Sequence, residues 1–214
     1  MQSHQIKFPK TARYYTLNLP SSSIKKIFFV FHGYGQLASQ FIHKFDKLNK
    51  EYLIVAPEGL SRFYWSEAKG IVGASWMTKE NRLEEIEDYC NFIQHLYIHY
   101  KTKISEHVQI NILGFSQGGA TAVRWIEKKR PKFNNLILWG SAFPEDLQYI
   151  KMKEYLNDKS LHVIYGKQDP YITKERLNDQ HLFTERQELN FELTWFEGGH
   201  EINREALNNL VENI

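Results

Sequence analysis

From Ile24 to the end of the chain, short apolar runs alternate with longer stretches of helical periodicity, and no repeat, low-complexity tract or Ser/Gly/Pro-rich linker interrupts the series. "IFFVF" (Ile27 to Phe31) is apolar at every position. Both faces of the strand it forms must therefore be covered, as in a parallel sheet sandwiched between helices. "YLIVAP" (Tyr52 to Pro57), "VQINILG" (Val108 to Gly114), "LILWG" (Leu136 to Gly140), "LHVIYG" (Leu161 to Gly166) and "FELTWF" (Phe191 to Phe196) read as further strands. The more polar, alternating "YYTLNL" (Tyr14 to Leu19) suits an antiparallel edge. Between Asn81 and Tyr100, apolar residues recur at Leu83, Ile86, Cys90, Ile93, Leu96, Tyr97 and Tyr100, which is helical spacing. The expected architecture is α/β, a doubly wound and mostly parallel sheet flanked by helices. Such a sheet binds ligands outside the carboxyl ends of its strands, so the residues just after each strand are the ones to inspect for chemistry.

A length of 214 residues suits one domain spanning 1–214 with a sizeable core. No apolar run approaches the roughly 18 residues that a membrane helix needs. The start of the chain, "MQSHQIKFPKTARYY", lacks the basic-then-apolar pattern of a signal peptide, so the expected location is the cytoplasm. The single cysteine, Cys90, has no partner for an internal disulfide and lies on the buried stripe of the long helix, where it reads as a small core residue. The charge of +2, from 27 basic and 25 acidic residues spread along the chain, gives no reason to expect nucleic acid as a partner. The densest basic cluster, "EKKRPK" (Glu127 to Lys132), falls at the expected end of a helix, where cations complement the negative end of its dipole.

One strand runs into "ILGFSQGGA" (Ile112 to Ala120), a Gly-x-Ser-x-Gly turn followed directly by helix formers. A nucleophile displayed on a tight strand-to-helix turn needs neighbours without bulk, and the helix that follows aims unpaired N–H groups at developing negative charge. Ser116 is thus the candidate nucleophile. A serine hydroxyl needs a base, and the base an orienting acid. Of nine histidines, His95 and His99 fall in the long helix, His107 and His162 at or within strand starts, and His4 before the fold. His200 is different: it follows a strand in a loop, "EGGHE", whose glycines let it carry an imidazole over the sheet edge. Asp169 follows the preceding strand in "GKQDPYI" and is the preferred acid. Glu145 and Asp146 are held in reserve and are expected to begin a surface helix. For the oxyanion hole, the glycine-rich "FVFHGYGQ" offers the Tyr34 N–H to pair with that of Gln117. His32, directly after a buried strand, is expected to brace that loop.

"FHGYG", "GFSQGG", "GKQDPYI" and "GGHEI" together resemble the phospholipase/carboxylesterase family of α/β-hydrolases, which includes bacterial carboxylesterases and acyl-protein thioesterases. The resemblance extends from about Ile27 to Asn203. It implies the α/β-hydrolase fold and hydrolysis of carboxylic esters or thioesters through an acyl-enzyme. Ser116 would act as nucleophile, His200 as base, Asp169 as its partner, and Tyr34 and Gln117 as oxyanion donors; no cofactor or metal is called for. The short stretch between Gly140 and Leu161 leaves no room for a large lid domain, which favours small to medium acyl or aryl substrates. The connection from Pro57 to Asn81 holds Phe63, Tyr64, Trp65 and Trp76, enough aromatic surface to wall a substrate pocket. The expected partner is a small ester or thioester, with no nucleic acid and no membrane, and the protein a monomer or homodimer. The rival reading is a catalytically silent relative that binds a small apolar ligand in the same place.

Overall fold

The computed structural model describes residues 1–2 and 4–214. Its elements run β1 (Tyr14–Leu17), β2 (Lys26–Phe31), α1 (Ala38–Phe41), β3 (Tyr52–Pro57), β4 (Ser61–Ser66), β5 (Ile71–Ser75), α2 (Arg82–Lys101), β6 (Gln109–Phe115), α3 (Gln117–Lys129), β7 (Asn135–Trp139), α4 (Lys153–Leu156), β8 (Ser160–Gly166), α5 (Lys174–Arg186), β9 (Glu192–Phe196) and α6 (Arg204–Asn213). Seven strands form one sheet in the order β1-β3-β2-β6-β7-β8-β9. All neighbours are parallel except β1, which pairs antiparallel with β3 at the edge. No described helix is long and apolar enough to cross a membrane.

The all-apolar strand β2 explains the layering. Ile27, Phe29 and Phe31 point to one face, where α2 and α3 bury them with Cys90, Ile93, Tyr97 and Trp125. Phe28 and Val30 point to the other, against Phe41, Phe45, Leu207 and Val211 from α1, the 3-10 turn after it, and α6. Fully burying a side chain of this kind contributes roughly 1.5–3 kcal/mol, so sliding β2 by one residue would disrupt both layers at once. Burial pushes the Cys90 thiol up to about 12, which leaves it a protonated core residue.

The chain first steps from β2 outward to β3, then returns to lay β6 on the other side of β2. The carboxyl ends of β2 and β6 therefore flank the point where the winding reverses, the usual crevice for a ligand. His32 follows one of these strands and Ser116 the other.

Two local features differ from the sequence reading. The connection from Pro57 to Asn81 is no plain loop: it contains the antiparallel hairpin β4–β5, a separate two-stranded sheet. Glu145 and Asp146 begin no helix; the next helical turn is a 3-10 turn at Tyr149–Met152. Asp146 instead accepts from Arg124 and Arg82, at 2.9 and 2.5 Å. Although burial opposes ionisation, these guanidinium groups hold its carboxyl down at about 2. In the basic cluster, Lys128 and Lys129 pair with Glu87 on α2, while Arg130 donates to the Glu127 carbonyl at the end of α3.

Candidate active site

Ser116 stands between the last residue of β6 and the first of α3 with φ 54° and ψ −121°, a conformation that costs a non-glycine residue of order 1–3 kcal/mol. The turn is held on both sides: Ser116 N–H donates to the Trp139 carbonyl (2.9 Å), and the Ser116 carbonyl accepts from Gly119 N–H (2.9 Å). Its tightness explains the glycines. A Cβ at Gly118 would lie 2.2 Å from the Phe31 carbonyl oxygen, and one at Gly114 would lie 2.4 Å from that of Gly118. The elbow can therefore press directly against the end of β2.

On one flank of the elbow, the loops after β8 and β9 bring Asp169 and His200 together. His200 Nδ1 lies 2.6 Å from Asp169 Oδ2. The other carboxylate oxygen accepts from Tyr171 N–H at 2.9 Å. The Asp169 side chain is only 1% exposed, so these two donors replace the water it has lost. A carboxylate only accepts, so Nδ1 carries the proton and Nε2 is left as the ring's acceptor. Phe115 and Tyr171 hold the imidazole between them, with ring centroids 4.8 and 4.7 Å away. Neither was singled out in the sequence, although Tyr171 lies inside "GKQDPYI".

Ser116 and His200 line a common cavity of about 370 Å³. Its walls are Gly140, Ser141, Ala142, Glu145, Tyr165, Tyr171 and Ile172, with Arg176, Leu177, Asp179 and Gln180 from α5. Burial, reinforced by the Asp169 charge, pushes the Tyr165 hydroxyl up to about 12, so it stays neutral. Glu145 reaches this cavity and accepts from Gln180 at 3.2 Å.

The expected aromatic wall does not line this cavity. Trp76 is core: it is 1% exposed, lies on Phe31, Tyr89 and His32, and donates from Nε1 to the His32 carbonyl. Phe63, Tyr64 and Trp65 sit on β4, away from the cavity wall, because the hairpin folds beside the loop after β2 instead of over the ends of β7 and β8.

On the other flank lies that loop. His32 Nδ1 donates to the Gly33 carbonyl (2.8 Å), and its Nε2 accepts from Gly59 N–H (2.9 Å). Burial lowers its pKa to about 4, so the ring is neutral and plays this brace in both directions. Gln36 adds a second clamp, its N–H donating to the Gly33 carbonyl (3.2 Å) and its Oε1 accepting from Gly33 N–H (2.9 Å). The Gly33 carbonyl belongs to the same peptide as Tyr34 N–H, and in a trans peptide the two point in opposite directions. Fixing the carbonyl therefore fixes the amide. Among the described residues, neither Tyr34 N–H nor Gln117 N–H has a backbone acceptor. The Gln117 side chain turns away to bind Met77 O and Trp76 N–H, which leaves its amide at the positive end of α3.

Comparison with solved structures finds the same fold in acyl-protein thioesterase 2 of Zea mays, with a TM-score of 0.70 at 14% identity over 94% of this chain and 97% of that one. The carboxylesterase of Bacillus cereus matches with a TM-score of 0.62 at 15% identity, covering 94% and 92% of the two chains. A phospholipase/carboxylesterase from Dyadobacter fermentans matches at 0.63 and 17%, covering 97% of each. A search of curated protein sequences found no match. Residues 21–209 match the family described as serine hydrolase (FSH1), and with nearly the whole α/β sheet inside that match, the chain belongs to the FSH1 serine hydrolase family.

Proposed function

We propose that this protein hydrolyses carboxylic esters or thioesters of small to medium acyl or aryl groups through an acyl-enzyme. The observation that carries the reading is the His200–Asp169 pair, bonded at 2.6 Å and opening onto the cavity where the elbow displays Ser116. His200 Nε2 takes the Ser116 proton as Oγ attacks the substrate carbonyl carbon. The carbonyl electron pair moves onto its oxygen, which Tyr34 N–H and Gln117 N–H receive, aided by the positive end of α3. Collapse of this intermediate breaks the bond to the alcohol or thiol, which leaves with the proton from His200; water then repeats the sequence on the acyl-enzyme. Asp169 stays ionised throughout, holding the tautomer and offsetting the imidazolium charge. The cavity, apolar at Ala142, Ile172 and Leu177 and polar at Glu145, Arg176 and Gln180, suits short substrates with some polarity better than long saturated chains.

Two measurements test this. A fluorophosphonate should label the protein stoichiometrically at Ser116, and p-nitrophenyl esters or acyl thioesters of graded length should be turned over, with Ser116→Ala silent in both. Absence of labelling and of turnover across the whole substrate series would favour a silent binder of small apolar ligands. A tenth of the wild-type rate surviving in Ser116→Ala would remove this serine as the nucleophile.

A further inference from the structure

We infer that Trp65, on the β4–β5 hairpin, is a positioning residue for the oxyanion-binding amide of Tyr34. The inference rests on the acyl-transfer reading above and adds a part to it. Trp65 is 54% exposed, so core packing does not account for it, and it does not line the cavity beside Ser116. Its indole N–H is nevertheless committed to a single acceptor, the Gly35 carbonyl, at 3.0 Å.

The fit between this indole and the loop is close. Gly35 has φ +76°, and a Cβ there would lie 2.1 Å from Trp65 Cζ2. A Cβ on Gly73, across in β5, would lie 2.6 Å from Trp65 Nε1 and 2.6 Å from the Gly35 carbonyl oxygen. Two glycines thus make the slot that the tryptophan edge occupies. Gly35 N–H donates to the Ala74 carbonyl at 2.8 Å, so the hairpin holds Gly35 by both its amide and its carbonyl. The Tyr34 ring is held as well, stacked on Phe63 at 5.3 Å and edge-on to Trp65 at 5.6 Å.

His32 and Gln36 fix the peptide that carries Tyr34 N–H from the sheet side, as described above. The Gly35 carbonyl that Trp65 binds shares a peptide with Gln36 N–H, so Trp65 steadies the donor that clamps the Gly33 carbonyl. Without it, that clamp loosens and the Tyr34 amide drifts off the oxyanion. Losing an oxyanion donor outright costs about 10²–10³ in kcat; loosening one should cost less, about tenfold.

The test is Trp65→Phe, which keeps a ring and removes the donor, assayed on p-nitrophenyl acetate, butyrate and octanoate. The expected result is a fall of about tenfold in kcat on all three esters with KM within about twofold. A trifluoromethyl ketone, which forms the oxyanion adduct, should weaken by about the same factor. Gly73→Ala gives a second route, because its methyl crowds both the indole and the Gly35 carbonyl and so breaks their hydrogen bond while leaving Trp65 in the chain, and it should reproduce the same split. An unchanged kcat in both variants would overturn the inference while leaving the serine mechanism in place, as would a KM that rises with acyl length, which would make Trp65 a substrate wall. If wild-type protein turned over none of the esters and resisted fluorophosphonate, the acyl-transfer reading and this inference would fall together.

Discussion

The two flanks of Ser116 are built on different plans. Toward β8 and β9 the proposed chemistry resides in side chains, Asp169 and His200, and each sits just beyond the end of a strand of the main sheet. Toward β2 it resides in main-chain amides, and the side chains that matter are supports: His32, Gln36 and Trp65, drawn from a strand end, a loop and a separate hairpin. A single substitution can delete the chemistry on the first flank. On the second there is no side chain to delete, so its function responds only to changes in what holds the backbone.

That contrast can be broken most severely at Asp169. Asp169→Asn should lower kcat by at least about a thousandfold, because the amide cannot hold the same imidazole tautomer or offset its charge. Asp146→Asn, which weakens the Arg82 and Arg124 pairs, should leave kcat within about threefold and lower stability instead. Steady-state kinetics on both variants decides the acid; a near-normal Asp169→Asn would move it elsewhere.

Acid should distinguish the flanks next. His32 is buried and neutral with its pKa lowered to about 4, whereas in the unfolded chain a histidine titrates near about 6.5. Between these values the unfolded state holds the extra proton. The stability His32 confers is therefore complete above about pH 6.5 and is lost as pH falls toward about 4, by up to about 3 kcal/mol. Urea unfolding at pH 7 and pH 4 should show wild type losing about that much more than His32→Gln, which has no such proton to gain. Equal losses in the two proteins would mean that His32 is not the buried base it is taken to be.

The smallest effect sharpens the comparison by its absence. Tyr64 alternates with Phe63 and Trp65 along β4, yet it is 62% exposed and does not line the cavity. Tyr64→Ser should change stability by no more than about 0.5 kcal/mol and leave kcat and KM for short esters unaltered. A selective rise in KM for aryl esters would restore the aromatic wall expected from the sequence.

The difference between the flanks also governs what could be read from the sequence. The sheet was legible because strands covered on both faces must be apolar throughout, as in "IFFVF" and "LILWG". Ser116, Asp169 and His200 could be picked out as candidates because their residue types carry chemistry and each follows a strand, and the structure places them just after β6, β8 and β9. The supports were less visible. His32 could be read as a brace from its position, but Gln36 and Trp65 act through hydrogen bonds to single carbonyls and amides, which leave no periodic trace. The hairpin is not evident from "SRFYWS", which lacks the alternation of a half-buried strand, and its run of aromatic residues reads equally as a pocket wall. The cavity wall from α5 was missed for another reason: that Arg176, Leu177 and Gln180 face Ser116 depends on how the helix is rolled against β8, which its own sequence does not specify.

The left-handed backbone of Ser116 has a last consequence, for heat tolerance. Glycine accepts φ 54° far more readily than serine, so Ser116→Gly should release strain even as it removes the hydroxyl. For a chain of this size each kcal/mol recovered raises the melting temperature by roughly 2–4 °C. The inactive variant should therefore melt a few degrees above the working protein. Selection for thermal endurance alone would erode the elbow, and its persistence would depend on the benefit of turnover outweighing a cost in robustness borne by every folded copy.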